Sequence, residues 1–170
     1  MLQIDGLELV QTQAIVRYVA KRANLFGKSA RDEVKCDMIA EACHDVLSLA
    51  VSAPFKRSHG SEEEAAQKQL MVTKWSKFGP RFEAVLAANG GKFMVGQAIT
   101  YADVLMVHAM TWYVEECGPE TVSSLPLLVD LQHQVFSLPG IQAFIKSKLY
   151  YPLGDNAYCA QVCETLGRKI

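Results

Sequence analysis

Two polar neighbours near the start of the chain, Gln11 and Thr12, stand where an extended run gives way to a helical pattern, and that position suits the holding of a carboxylate. A helix N-terminus offers backbone N–H groups without intrahelical partners and the positive end of the helix dipole, to which the Thr12 hydroxyl adds a donor. The plainer reading is that Thr12 is an N-cap. A second set, Asp37, Glu41 and Asp45, recurs every four residues and so forms one acidic stripe along a helix; for Asp37 and Glu41 the expectation is a solvated face. Nucleophilic chemistry finds little support. Cys43 and His44 are adjacent and therefore point about 100° apart on a helix, the wrong arrangement for a nucleophile and its base. Cys36 and Cys43 share a face and read as helix-packing residues. His59, His108 and His133 are scattered, and the five cysteines lack CxxC spacing, so no metal is expected.

The elements that must position these residues begin with a hairpin: two short extended runs, Leu2–Ile4 and Leu7–Val10, joined by Asp5-Gly6, a pair suited to a tight turn. After Gln11, Ala14, Ile15, Tyr18 and Val19 recur at helical spacing, and "NLFGK" at 24–28 supplies a glycine stop and a linker. From there the pattern is helical throughout. Ser29 with Asp32, Ser61 with Glu64, and Thr100 with Asp103 have capping-box spacing and mark three helix starts. The first of these helices should run to about Ala53, before Pro54. The second should carry Met71, Trp75, Phe78, Phe82 and Val85 on one stripe. The third, about 101–116, is apolar almost all round and belongs in the centre of a bundle, with Ile99 and Val104 spaced as a hydrophobic staple. Two "SLP" triplets, 124–126 and 137–139, place proline in the first turn of two further helices, and a last amphipathic segment covers about 156–167.

At 170 residues, 50% apolar and 21% charged, the chain can bury one good core and at most a small second one. Lys plus Arg number 17 against 18 Asp plus Glu with no basic cluster, which argues against nucleic acid and against an anionic membrane surface as partners. No run approaches a membrane span of about 18 uninterrupted apolar residues, the first residues contain no apolar signal region, and the cysteine pattern fits reduced thiols; the expected location is the cytoplasm.

Three separated motifs, "LVQTQAIVRYVAKRANLFGK" at 9–28, "CDMIAEACHDV" at 36–46 and "KFMVGQAITYADVLMV" at 92–107, resemble the cytosolic glutathione transferases, most closely the alpha class. The resemblance implies a mainly α protein. Residues 1–27 would be the last β-hairpin and helix of a thioredoxin-like, glutathione-binding domain, and 28–170 the all-helical C-terminal domain that receives the electrophile. It also implies that Gln11-Thr12 holds the γ-glutamyl part of glutathione. Asp45 would reach the α-amino group of glutathione bound in the other subunit of a homodimer, and Lys77 would stand where an arginine usually reaches the glutathione carboxylate, without the bidentate fork. The electrophile pocket would draw on Val51, Phe55, Cys159, Val162 and Leu166, an apolar wall suited to hydrophobic acceptors, with the last helix as a lid or simply packed on the body.

By the same matching, Met1 falls just after the family's cis-proline, so the catalytic tyrosine is expected before residue 1. The expected reaction is conjugation of glutathione, as co-substrate, to small hydrophobic electrophiles, with the 170 residues alone lacking the activating group. Two other readings remain at this stage: a non-catalytic binding module with the transferase helical fold, and a prostaglandin isomerase of the related sigma class.

Overall fold

The computed structural model describes residues 1–56, 62–150 and 154–167. The chain opens with β1 (Leu2–Ile4) paired antiparallel to β2 (Leu7–Leu9), Leu2 opposite Leu9. Asp5 and Gly6, at φ 52° and 74°, are the two left-handed residues that a tight two-residue hairpin turn needs. Helix α1 (Thr12–Arg22) follows. It ends in a Schellman closure: Leu25 N–H donates to the Ala20 carbonyl (2.8 Å) and Asn24 N–H to the Lys21 carbonyl (3.2 Å). The stop is therefore Asn24, at φ 56°, and not Gly27 as expected from sequence. Asparagine tolerates the left-handed region; Gly27 instead lets the linker pass against the next helix, where a Cβ would lie 2.9 Å from the Cβ of Asp32.

Helix α2 (Ala30–Ala50) starts at Ser29, whose Oγ accepts from the Asp32 N–H (3.2 Å) and donates to the Asp32 carboxylate (2.9 Å). It stops three residues before the expected Ala53. Pro54 has no N–H to donate to the carbonyl of Ala50, and Ala53–Lys56 forms a separate 3-10 turn. The Leu49 carbonyl, left open at the helix end, accepts from Gln67 Nε2 (2.8 Å) and Ser52 Oγ (2.8 Å).

The capping box expected at Ser61 lies outside the described residues. Helix α3 (Glu62–Ala88) buries Gln67, Met71, Trp75, Gly79, Phe82 and Leu86. Of the expected stripe, Phe78 is half-buried and Val85 is exposed. The inward line steps through every fourth residue to Gly79 and then to Phe82 and Leu86, which leaves Val85 about 100° off it.

Helix α4 (Tyr101–Cys117) is central, packed on α2, α3 and α5, with buried residues from Tyr101 to Tyr113 on most of its sides. Its start is the expected capping box: Asp103 accepts from Thr100 N–H (2.7 Å) and Thr100 Oγ1 (2.9 Å), and its other oxygen from Met94 N–H (2.7 Å). At the other end the Tyr113 ring lies 4.8 Å from that of Trp75, and its hydroxyl donates to the Val46 carbonyl (2.9 Å).

Helices α5 (Pro126–Phe136) and α6 (Pro139–Ile145) each begin with the proline of an "SLP" triplet. The open N–H groups of Leu127 and Leu128 donate to Glu83 of α3 (2.8 and 2.9 Å), a cap supplied by a different helix. Helix α7 (Asn156–Thr165), capped by Asp155, packs on the 3-10 turn and buries Cys159. The core runs from Cys36 of α2 through α3, α4 and α5; the hairpin gives it no buried residue and α1 only Ala20.

Candidate functional site

The backbone at the start of α1 is unusual. Gln11 is the N-cap, at φ 68° and ψ 114°, and its side chain caps nothing. A positive φ in a residue with a Cβ is a strained conformation that persists only where its surroundings enforce it, and such strain concentrates at functional sites. Thr12 is consequently the first helical residue and not the cap that a plain reading would make it. Both side chains are exposed, no acidic residue stands in the first turn, and the first intrahelical bond is Ile15 N–H to the Gln11 carbonyl (3.0 Å). The positive end of the helix and its open N–H groups are thus offered to solvent. One residue further on, Gln13 Oε1 is shielded and has no hydrogen-bond partner among the described residues.

Polar contacts fix α1 against the bundle. Arg17 Nε donates to Asp37 Oδ1 (2.6 Å), its Nη2 pairs with Glu41, and the Tyr101 hydroxyl donates to the same Asp37 oxygen (2.6 Å). This corrects the expectation of a solvated face for Asp37, which is half-buried, while Glu41 stays exposed as expected; the two acids, one helical turn apart, are spanned by one guanidinium fork. Burial works to raise the Asp37 carboxyl, but the hydrogen bonds from Tyr101 and Arg17 outweigh it and hold the group below its ordinary value of 3.8. The Asp37 hydrogen bond raises Arg17 further above its already high value. Burial first, and then the bond to Asp37, raise the Tyr101 phenol.

Tyr101 also holds the linker. Its backbone N–H donates to the Leu25 carbonyl (2.7 Å) and its ring stacks on Phe26 (5.2 Å, 5°), over which Lys21 Nζ sits at 4.4 Å. On the other side, Tyr18 donates to Asp5 (2.7 Å) and Arg22 pairs with the same carboxylate, tying the hairpin turn to α1. Sequence reading missed Arg17 and Tyr101, because their partners lie on other elements.

The remaining expected site residues lie elsewhere. Asp45 is exposed on α2, and its backbone carbonyl accepts from Ser48 Oγ (2.7 Å) and from Lys74. Lys77 is exposed on α3, one turn beyond Lys74. Among the described residues no hydrogen bond or ion pair joins Gln11 or Thr12 to either. Val51 and Phe55, 54% and 40% exposed, stand at the end of α2 and in the 3-10 turn. The Phe55 ring meets that of Tyr158 on α7 (6.1 Å, tilted 53°), a partner the sequence reading did not single out. On α7, Cys159 is buried, Val162 half-buried, and Leu166, just past the helix, exposed.

A hollow of about 240 Å³ between the linker and the loop before α4 contains none of these residues. Cys36 and Cys43 are buried as expected; burial pushes the Cys43 thiol up to about 12, so it stays protonated near neutrality, and His44 beside it is exposed. Among the described residues no group of three His, Cys, Asp or Glu is arranged to hold a metal ion, and no helix is long and apolar enough to cross a membrane.

Comparison with known proteins gives these elements a context. Residues 44–148 match the family model described as the glutathione S-transferase C-terminal domain. Human glutathione S-transferase A2 is 35% identical over 147 residues, covering 86% of this chain and 64% of that protein. Mouse glutathione S-transferase A3 is 32% identical over 161 residues, covering 95% and 72%. The chain thus spans somewhat under two thirds of the length of the human relative. Among solved structures, a monomeric glutathione S-transferase of the hookworm Necator americanus superposes with a TM-score of 0.77 at 20% identity, over 88% of this chain and 73% of that one.

Proposed function

Because the chain belongs to the glutathione S-transferase family, we propose that it binds glutathione at the N-terminus of α1 and serves its conjugation to small hydrophobic electrophiles. The observation that carries this reading is the first turn of α1: a strained Gln11, open N–H groups, no acidic residue, and an exposed Thr12 hydroxyl. Such a turn suits the γ-glutamyl carboxylate, which would take N–H donors along the helix dipole and the Thr12 hydroxyl from the side. Gln13 Oε1, an acceptor without a partner among the described residues, lies in the same turn.

In the same reading, residues 1–27 belong to the glutathione-binding, thioredoxin-like part and 28–170 to the helical domain. The thin contribution of the hairpin and α1 to the core supports that division. Asp45, exposed and acidic, would pair with the α-amino group of glutathione held by a second copy in a homodimer, and Lys77 would attract its carboxylate as a point charge. Val51 and Phe55, with Cys159, Val162 and Leu166 of α7 and its flank, would form the apolar wall for the acceptor.

The chemistry is attack of the glutathione thiolate on an electrophilic carbon of the acceptor. The thiol gives up its proton to solvent beforehand, and the new carbon–sulfur bond forms as a leaving group departs with its electron pair or a polarised double bond takes the pair and is then protonated by water. The binding residues named here position the sulfur beside the acceptor, and no residue of the 170 is assigned the lowering of its pKa. No metal is needed for this step, and the reaction fits a cytoplasmic protein with reduced thiols.

Titration calorimetry of the chain with glutathione tests the reading. Thr12→Ala should weaken binding about tenfold relative to the parent, by removing one hydrogen bond to a charged group. Unchanged affinity in Thr12→Ala, or no binding by the parent, would contradict it.

A further inference from the structure

Helix α1 meets the bundle through a thin apolar strip, Ala20 with the half-buried Val16, and through a set of polar contacts. Its single buried residue is Ala20, and the hairpin before it contributes none. Hydrophobic packing therefore does little to fix how far α1 slides or turns against α2. The contacts that do fix it converge on two residues. Arg17 spans Asp37 and Glu41 on α2, and Tyr101 joins Asp37 by its hydroxyl, Leu25 by its N–H and Phe26 by its ring. From Asp37, α2 runs unbroken to Ala50, where Val51 and then Phe55 begin the apolar wall.

We infer that Arg17 and Tyr101 are positioning residues that hold the N-terminus of α1 in register with the apolar wall at the far end of α2. One ligand molecule can then engage both. This rests on the reading of the α1 N-terminus as the glutathione site. Neither residue has to touch the ligand.

The consequence separates two kinds of ligand. Within one chain, glutathione alone uses contacts local to the first turn of α1, which its own hairpin and Asn24 closure keep intact. A ligand that spans both ends gains its extra affinity only if the distance between them is set in advance. A guanidinium fork across two carboxylates does this better than a flexible ammonium, because its planar donors fix direction as well as charge.

The test is calorimetric titration of the chain with glutathione and with S-hexylglutathione, for the parent, Arg17→Gln, Arg17→Lys and Tyr101→Phe, each verified as folded by circular dichroism. Tyr101→Phe keeps the stack on Phe26 and removes only the hydroxyl. The parent should bind S-hexylglutathione more tightly than glutathione. Arg17→Gln should cut that advantage about tenfold, Tyr101→Phe by less, with glutathione itself within about twofold of the parent, and Arg17→Lys should recover part of the loss. If both ligands weaken equally, or the advantage survives in Arg17→Gln and Tyr101→Phe, the two residues are structural only and the inference is overturned. If the parent binds no glutathione, the site reading itself fails and the inference goes with it. That outcome is distinguishable because it occurs before any substitution is made.

Discussion

Asp103 shows how much one side chain can hold at the residue scale. It is fully shielded from water, and its two oxygens take three hydrogen bonds, from Thr100 twice and from Met94. Burial pushes its carboxyl up, and those bonds pull against that. Asp103→Ala would leave buried N–H groups of two loop residues without partners and should cost about 3 kcal/mol, beyond the loss of an ordinary cap. Urea unfolding at unchanged m-value checks this, and equal midpoints for variant and parent would remove the claim.

Asp37 gives a dependence on pH. Its carboxyl is held below 3.8 in the folded chain, so its stabilising effect is fully present above that value and is lost as the pH falls through the lower, native one. The Tm difference between the parent and Tyr101→Phe should therefore persist at about pH 6 and shrink only once the pH has fallen below 3.8 and through the lower native value. A difference independent of pH would show that the hydroxyl acts by packing and not through Asp37. The Thr100–Asp103 box was legible in the sequence because it is local, three residues apart. The Arg17–Asp37 pair was not: a four-residue acidic repeat looks the same whether it faces water or a helix 20 residues away.

Elements follow the same division between local and distant causes. The hairpin turn, the proline starts of α5 and α6, and the largely apolar α4 were legible, since left-handed turn residues, a missing N–H and a nearly continuous apolar surface each act within their own segment. The stops of α1 and α2 were each misplaced by three residues. There the choice between Asn24 and Gly27, and between Ala50 and Ala53, depends on what packs against the chain end: the Asp32 Cβ in one case, Gln67 of α3 in the other.

Glu83 extends this point. It caps α5 from α3 through two N–H bonds across 44 and 45 residues of sequence, which no spacing rule reveals. Glu83→Ala should destabilise the chain by about 1–2 kcal/mol, where an unengaged helical glutamate would change it by no more than about 0.5. A loss of that smaller size in thermal unfolding would mean that the α5 N-terminus is satisfied by water.

At the scale of the whole molecule, a helical core from α2 to α5 carries a hairpin and α1 on polar ties, and the expected site residues divide between those two parts. Gln11 and Thr12 belong to the outer part; Asp45, Lys77, Val51, Phe55 and α7 belong to the core part or its flank. The motifs that carry the family resemblance were legible in the sequence. The strain at Gln11, the Arg17–Tyr101 tether and the Phe55–Tyr158 contact were not, because each exists only once separate elements are placed together.

The central claim, that the first turn of α1 is the glutathione site, is tested most directly by backbone amide chemical shifts of the 18.8 kDa chain during titration with glutathione. The expected result is saturable movement centred on the N–H groups of Thr12, Gln13 and Ala14, absent with a tripeptide amidated at its γ-glutamyl α-carboxylate. Movement centred on any other segment, or shifts at residues 12–14 that the amidated tripeptide reproduces, would contradict it.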